Sequence, residues 1–286
     1  MIWAAIIEER SGGRSLKIPW SPSLNERSNF LLSKWYLDCV SEYGEVFIAY
    51  VAALQWQGLV LNYASTLRRQ GDGQTETNTS LRSSPAPQVT GSSIEWISSA
   101  LNVTGTWTPL AGPIQRVLLE SEAGNIEWNC LQPNGAAEIC AGDGQRMAGL
   151  GYVEHLAMSI PAWQLPIKEL RWGRFLSNTD ALIWIEWRGA TPLSLVFHNG
   201  NQIEDVSITE HGLKAGELAL ALEENVVVRE GPLIKTALSM IPMISRIFPL
   251  RVLQTYEWKW LSHGTMKRNS AEAANGWAIH EIVSFA

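Results

Sequence analysis

Hydrophobic residues in this chain recur mostly at every second position, in short runs of Val, Ile, Leu, Trp and Tyr cut by Gly, Asn, Pro and Asp. A period of two sends alternate side chains to opposite faces of an extended strand, which a helix with its period of roughly 3.6 does not do. The pattern predicts strands at 46–56, 58–67, 114–120, 125–130, 136–140, 152–160, 167–177, 181–188, 193–198, 203–209, 215–222, 225–229, 251–260 and 277–285. Asn134-Gly135 and Asn199-Gly200 fall between apolar runs, where two residues that tolerate positive φ make tight antiparallel hairpins. So many consecutive strands overfill one small barrel, and two barrels hide the edges that an open sheet leaves exposed. The predicted fold is therefore all-β, as two consecutive antiparallel barrels.

The 286 residues and 46% hydrophobic content suffice for a substantial core in each half. Gly and Asp cluster in AGDGQRMAG, 141–149, so the expected domains are 1–145 and 146–286. Within the first, residues 68–93 hold almost nothing able to enter a core and read as a mobile loop. One helix is expected at 231–248, starting at Pro232 and kinked at Pro242. It packs on a barrel, or as the alternative forms an apolar lid or a peripheral membrane contact.

The formal charge of −6 and the absence of a Lys/Arg run exclude a protein that tracks a phosphate backbone, so no nucleic-acid partner is expected. No stretch has the roughly 18 apolar residues of a spanning helix. Cys39, Cys130 and Cys140 leave one unpaired in any disulfide scheme, and the N-terminus lacks the pattern of a signal peptide. The chain reads as cytoplasmic. Five scattered histidines and no Cys-x-x-Cys unit give a metal site no support, and nucleophile-elbow and phosphate-loop motifs are missing. No metal is expected, and the sequence says nothing of oligomeric state.

Tryptophan is the unusual feature, present 14 times. Most of these rings read as filling of barrel interiors, and some as walls of an aromatic cavity for a long apolar ligand. Strand alternation sorts the polar residues among them. Tyr152 and Glu154 share one face of their strand, while His155 lies on the other. Tyr36 and Asp38 share a face opposite Trp35; Trp172 and Arg174 share one, as do Trp184 and Glu186. Each strand thus offers an aromatic ring beside a charge. Two readings stay open: a buried network in which Arg174 satisfies Glu154, Asp38 or Glu186, or a reaction centre.

At these residues the sequence resembles the lipocalin-like superfamily of the carotenoid hydratases (hydroxyneurosporene synthases), the AttH-like proteins and the decalin-forming Diels-Alderases. Trp35-Tyr36-Leu37-Asp38 ahead of Glu42-Tyr43-Gly44-Glu45 is similar to the family's first hairpin. Gly149-Leu150-Gly151-Tyr152-Val153-Glu154-His155 is similar to its Gly-x-Gly-Tyr-x-Asp/Glu-His, Trp172-Gly173-Arg174 to its Trp-Gly-Arg, and Gly276 through Glu281 to its closing strand. The chain departs from it after His155, where Leu156-Ala157-Met158 stands in place of the family's Asn-x-Gly. The resemblance implies two lipocalin-like barrels with a pocket in or between them and no cofactor.

Residues and resemblance together favour an enzyme of hydratase or cyclase type acting on an apolar polyene or isoprenoid. Glu154 or Asp38 would be the buried acid, with Tyr152 as a relay and Arg174 as an orienting charge. Trp35, Tyr36, His155, Trp172, Trp184 and Glu186 would line the substrate. The alternative is a carrier that binds an apolar ligand without chemistry.

Overall fold

The computed structural model describes residues 30–142, 144–235, 249–268 and 273–285. The first sheet begins with a meander, β1 (Phe30–Val40), β2 (Val46–Trp56), β3 (Leu59–Arg69) and β4 (Thr75–Ser80). It continues through β5 (Gln88–Thr90), β6 (Ser93–Ser98), β7 (Val103–Pro109), β8 (Ile114–Ser121), β9 (Gly124–Ala141) and β10 (Gln145–Met158). The second starts likewise with β11 (Ile167–Leu176), β12 (Ala181–Gly189), β13 (Leu193–His198) and β14 (Asn201–Ile203). Then come β15 (Val206–Thr209), β16 (Gly212–Ala215), β17 (Leu218–Pro232), the one-turn helix α1 (Leu250–Leu253), β18 (Tyr256–Arg268) and β19 (Ala274–Ser284).

All pairings are antiparallel, and the two sheets repeat one plan. The first has the order β4-β3-β2-β1-β10-β9-β7-β6-β5 with β8 added on β9, and the second β14-β13-β12-β11-β19-β18-β17-β16-β15. In each, the first long strand pairs with the last. Tyr36 of β1 therefore stands opposite Glu154 of β10, as Trp172 of β11 stands opposite Glu281 of β19. One of the two sheets curls into a nearly closed barrel.

Alternation gives each of these strands two buried faces. One face of the first sheet encloses Leu37, Phe47, Trp96, Trp107 and Val153, and one face of the second encloses Phe175, Trp184, Leu213 and Ala278. The other faces meet in the largest core, where Tyr36, Ile48, Tyr152, Trp172, Ile183 and Ile279 interdigitate. Gly151 and Gly173 allow this close packing. A Cβ at Gly151 would lie 2.7 Å from Trp107 Cδ1, and one at Gly173 2.1 Å from Trp184 Cζ2.

Several expectations change. Asn199 and Gly200 do turn a hairpin, with φ of 48° and 85°. Asn134-Gly135 does not: both lie inside β9, a continuous strand of 18 residues. Its glycine serves close approach, since a Cβ there would meet Gln132 Oε1 at 2.7 Å and the Thr108 carbonyl at 3.0 Å. Residues 68–93 are not one loop, because β4 and β5 form within them. Backbone pairing needs no apolar side chain, and both strands remain largely exposed. Gln145 is the first residue of β10, which pairs with β9 in the first sheet, and the chain passes to the second sheet at 159–166. Of the helix expected at 231–248, residues 236–248 lie outside the described residues, while Gly231 and Pro232 end β17. Cys39 and Cys130 are buried free thiols, and Cys140 is free and half-buried. Among the described residues no helix is long and apolar enough to cross a membrane.

Candidate functional site

Where the two sheets meet, a polar cluster lies among the aromatic rings. Asp38 and Arg174 form its most enclosed part, with side chains 0% and 1% exposed. Arg174 donates from Nε to Asp38 Oδ2 at 3.1 Å and from Nη2 to Oδ1 at 2.8 Å, and its Nη1 donates to the Trp277 carbonyl at 2.9 Å. The Asp38 carbonyl accepts from Trp107 Nε1 at 2.7 Å. Burial still pushes the Asp38 carboxyl above its ordinary range, against Arg174. Each charge of this pair has its partner, and the pair joins β1 to β11 across the interface.

Glu154 differs. It stands on the same face as Asp38 yet remains partly accessible to solvent. Its Oε2 accepts from Trp128 Nε1 at 2.6 Å and from the Tyr152 hydroxyl at 2.7 Å. Burial raises this carboxyl more than those two donors and Lys34 lower it, so the net direction is upward.

Its counterpart Glu281 goes the other way. Burial alone would raise it, but the Lys259 ammonium, then Lys34 and Arg229, hold it below the usual carboxylate range. Lys259 donates to Glu281 Oε2 and lies 3.8 Å from Glu257 Oε1. The same ammonium sits 5.5 Å from the Tyr36 ring centroid and 5.4 Å from that of Trp172. Arg229 bridges the sheets from its Nη2, to Glu257 Oε1 at 2.6 Å and to the Tyr50 hydroxyl at 2.9 Å. The Tyr36, Tyr50, Tyr152 and Trp172 rings meet edge to face, Tyr36 lying 5.0 Å from Trp172, 5.4 Å from Tyr50 and 6.0 Å from Tyr152.

The structure thus brings together six of the residues singled out from sequence: Tyr36, Asp38, Tyr152, Glu154, Trp172 and Arg174. It separates the other four. Trp35 and His155 face the core of the first sheet, their rings 4.7 Å apart, with His155 Nε2 at 2.8 Å from Ser33 Oγ. Trp184 lies in the core of the second sheet against His280, at 6.5 Å. Glu186 pairs with Arg188 at 2.8 Å and Arg171 at 3.8 Å on that same side. Parity along a strand decides this, because Trp184 stands opposite Gly173 and not opposite Trp172.

Lys34, Tyr50, Trp128, Arg229, Glu257 and Lys259 were not foreseen. Glu257 and Lys259 share a face of β18, two residues apart, and both are buried, whereas Trp258 and Trp260 on the other face are half-buried. A cavity of about 240 Å³ lies elsewhere, at the end of β1 and β2, lined by Leu31, Ser33, Gln55, Asn125, Glu127 and Ala157 among others.

No family model and no curated protein matches the chain. Solved structures do. CghA crystallised with Sch210972 superposes with a TM-score of 0.57 at 10% identity, over 93% of this chain and 94% of that one. A putative AttH (NE1406) from Nitrosomonas europaea gives 0.57 at 11% identity, over 96% and 98%. Kievitone hydratase from Nectria haematococca gives 0.53 at 12%, over 94% of both chains. These neighbours are lipocalin-like barrel proteins, and this chain has the lipocalin-like fold of the superfamily that its motifs resemble.

Proposed function

We propose that the inter-sheet cluster is the acid–base site of a cofactor-free enzyme that protonates a carbon–carbon double bond of an apolar polyene or isoprenoid-like substrate. The reading rests on Glu154 and Glu281, matched carboxyls of the two sheets that their surroundings push in opposite directions. Two such groups side by side are what an acid and an anionic partner require. Protonated Glu154, held by Tyr152 and Trp128, delivers its proton to one alkene carbon. The cation left on the neighbouring carbon is stabilised by faces of the clustered aromatic rings that Lys259 leaves uncovered, and the Glu281 carboxylate offsets the Lys259 charge beside it. Water, or a second double bond of the same molecule, supplies the electron pair. Loss of a proton from the added water, or from a carbon beside the new ring, returns the proton to the site, giving net hydration or net cyclisation.

Asp38 and Arg174 act in this reading by fixing β1 against β11. The hydratase among the structural neighbours supports the class of chemistry. A second reading, a carrier for an apolar ligand within a cytoplasmic protein, draws on the cavity beside Ser33, which none of the cluster's carboxyls lines.

The test is incubation with an organic extract of the producing cells in D2O, followed by mass spectrometry. Wild-type protein yields a product carrying one non-exchangeable deuterium on carbon, and Glu154→Gln yields none. Labelling of the same product at an equal rate by Glu154→Gln overturns the assignment.

A further inference from the structure

Charge and hydrogen bonding in the inter-sheet cluster do not close on themselves. Arg229 and Lys259 are matched by Glu257 and Glu281, through contacts of 2.6 Å from Arg229 to Glu257 and direct donation from Lys259 to Glu281. Lys34 is the cation left over. It stands on the inward face of β1, half-buried, its Nζ 5.4 Å from the Tyr50 ring centroid. Among the described residues it makes no ion pair, although its field reaches both Glu154 and Glu281. A donor of the same cluster is also without an acceptor. The indole Nε1 of Trp172 is buried and, among the described residues, has no hydrogen-bond partner. The indole N–H can only donate, so an acceptor must come from elsewhere.

We infer that the substrate carries a carboxylate, received by the Lys34 ammonium and the Trp172 indole N–H, on an apolar unsaturated chain that lies along the aromatic rings. This rests on the cluster being the substrate site and names the ligand class it takes. With Glu154 protonated, the buried cluster and Lys34 together carry one net positive charge, which a monoanion cancels and a neutral hydrocarbon does not. A carboxylate fits better than a phenol, because it is already ionised near neutral pH and an ammonium selects charge rather than shape. The arrangement also sets polarity along the substrate. The acid end is held at Lys34, and the chain is presented to Glu154.

The probe pair is α-linolenic acid and its methyl ester, alike in chain and unsaturation and differing in charge, with binding read by calorimetry and tryptophan quenching. Wild-type protein binds the acid about tenfold or more tightly than the ester, as expected for one charge-assisted contact. Lys34→Met and Lys34→Gln remove that preference while leaving ester affinity in place, Lys34→Arg retains it, and Trp172→Phe reduces it. Circular dichroism of each variant separates lost binding from lost folding. Equal affinity for acid and ester, unchanged acid binding in folded Lys34→Met, or no binding of either probe overturns the inference. A Lys34-dependent preference in a protein whose Glu154→Gln variant still labels product would sink the acid assignment alone.

Discussion

Mild acid should destabilise this protein through two buried histidines. His155 and His280 are 9% and 6% exposed, and each hydrogen-bonds a serine through Nε2, at 2.8 Å to Ser33 and 2.8 Å to Ser262. Burial pushes both imidazoles from 6.5 down to about 4, with the nearby Lys259 ammonium adding to the shift at His280. The unfolded chain therefore binds more protons than the folded one between those values. Stability from each histidine is complete above 6.5 and is lost as the pH falls toward 4. Between about pH 7.5 and about pH 5 the linkage relation gives a loss of roughly 2 kcal/mol per histidine, roughly 4 kcal/mol for the pair. The raised carboxyls of Asp38 and Glu154 work in the opposite sense, gaining stability as they protonate, so the comparison must be made between variants. Urea unfolding followed by tryptophan fluorescence at the two pH values supplies it. His155→Gln and His280→Gln should each remove about half of the histidine-linked loss, and the double variant nearly all of it, whatever their cost near pH 7.5. A double variant that loses as much stability between the two pH values as wild type refutes the reasoning.

Three further outcomes follow from the geometry. Asp38→Leu or Arg174→Met alone should cost roughly 3–5 kcal/mol by stranding the other charge, while the two together recover most of it, read as coupling in a double-mutant cycle. Lys259→Met should raise the Glu281 pKa, seen by carboxyl NMR, and destabilise by a similar few kcal/mol, with partial recovery in Lys259→Met/Glu281→Gln. Gly173→Ala should cost roughly 3 kcal/mol through the 2.1 Å clash with Trp184, and Trp184→Leu in the same chain should relieve part of it in a urea titration.

Much of this architecture is legible in the amino-acid sequence, because alternation is local. Alternation correctly puts Tyr36 with Asp38, Tyr152 with Glu154 and Trp172 with Arg174, and puts His155 on the far side of Glu154. What it cannot supply is which face of one strand meets which face of another. Trp184 looks like a neighbour of Trp172, yet the register sets it over Gly173 and inside a different core. The same limit hides Lys259, whose partners Glu281 and Tyr36 arrive from distant strands. Asn-Gly shows the limit at its smallest scale. At 199–200 the dipeptide turns a hairpin, and at 134–135 β9 runs through it, because Gln132 and Thr108 occupy the space that the glycine leaves. The dipeptide permits a turn and does not demand one.

The repeated strand plan bears on why both halves reside in one polypeptide. Asp38 and Arg174 stand on corresponding strands, two residues after Tyr36 and Trp172, so the junction sets matched positions against each other. In an assembly of identical subunits a matched position meets itself. The first half docked on its own copy would bury aspartate against aspartate, and the second half arginine against arginine. Each half is thus built to reject itself and to accept the other. Covalent linkage lets the two faces evolve opposite charge and unequal carboxyls, which a symmetric homodimer could not maintain.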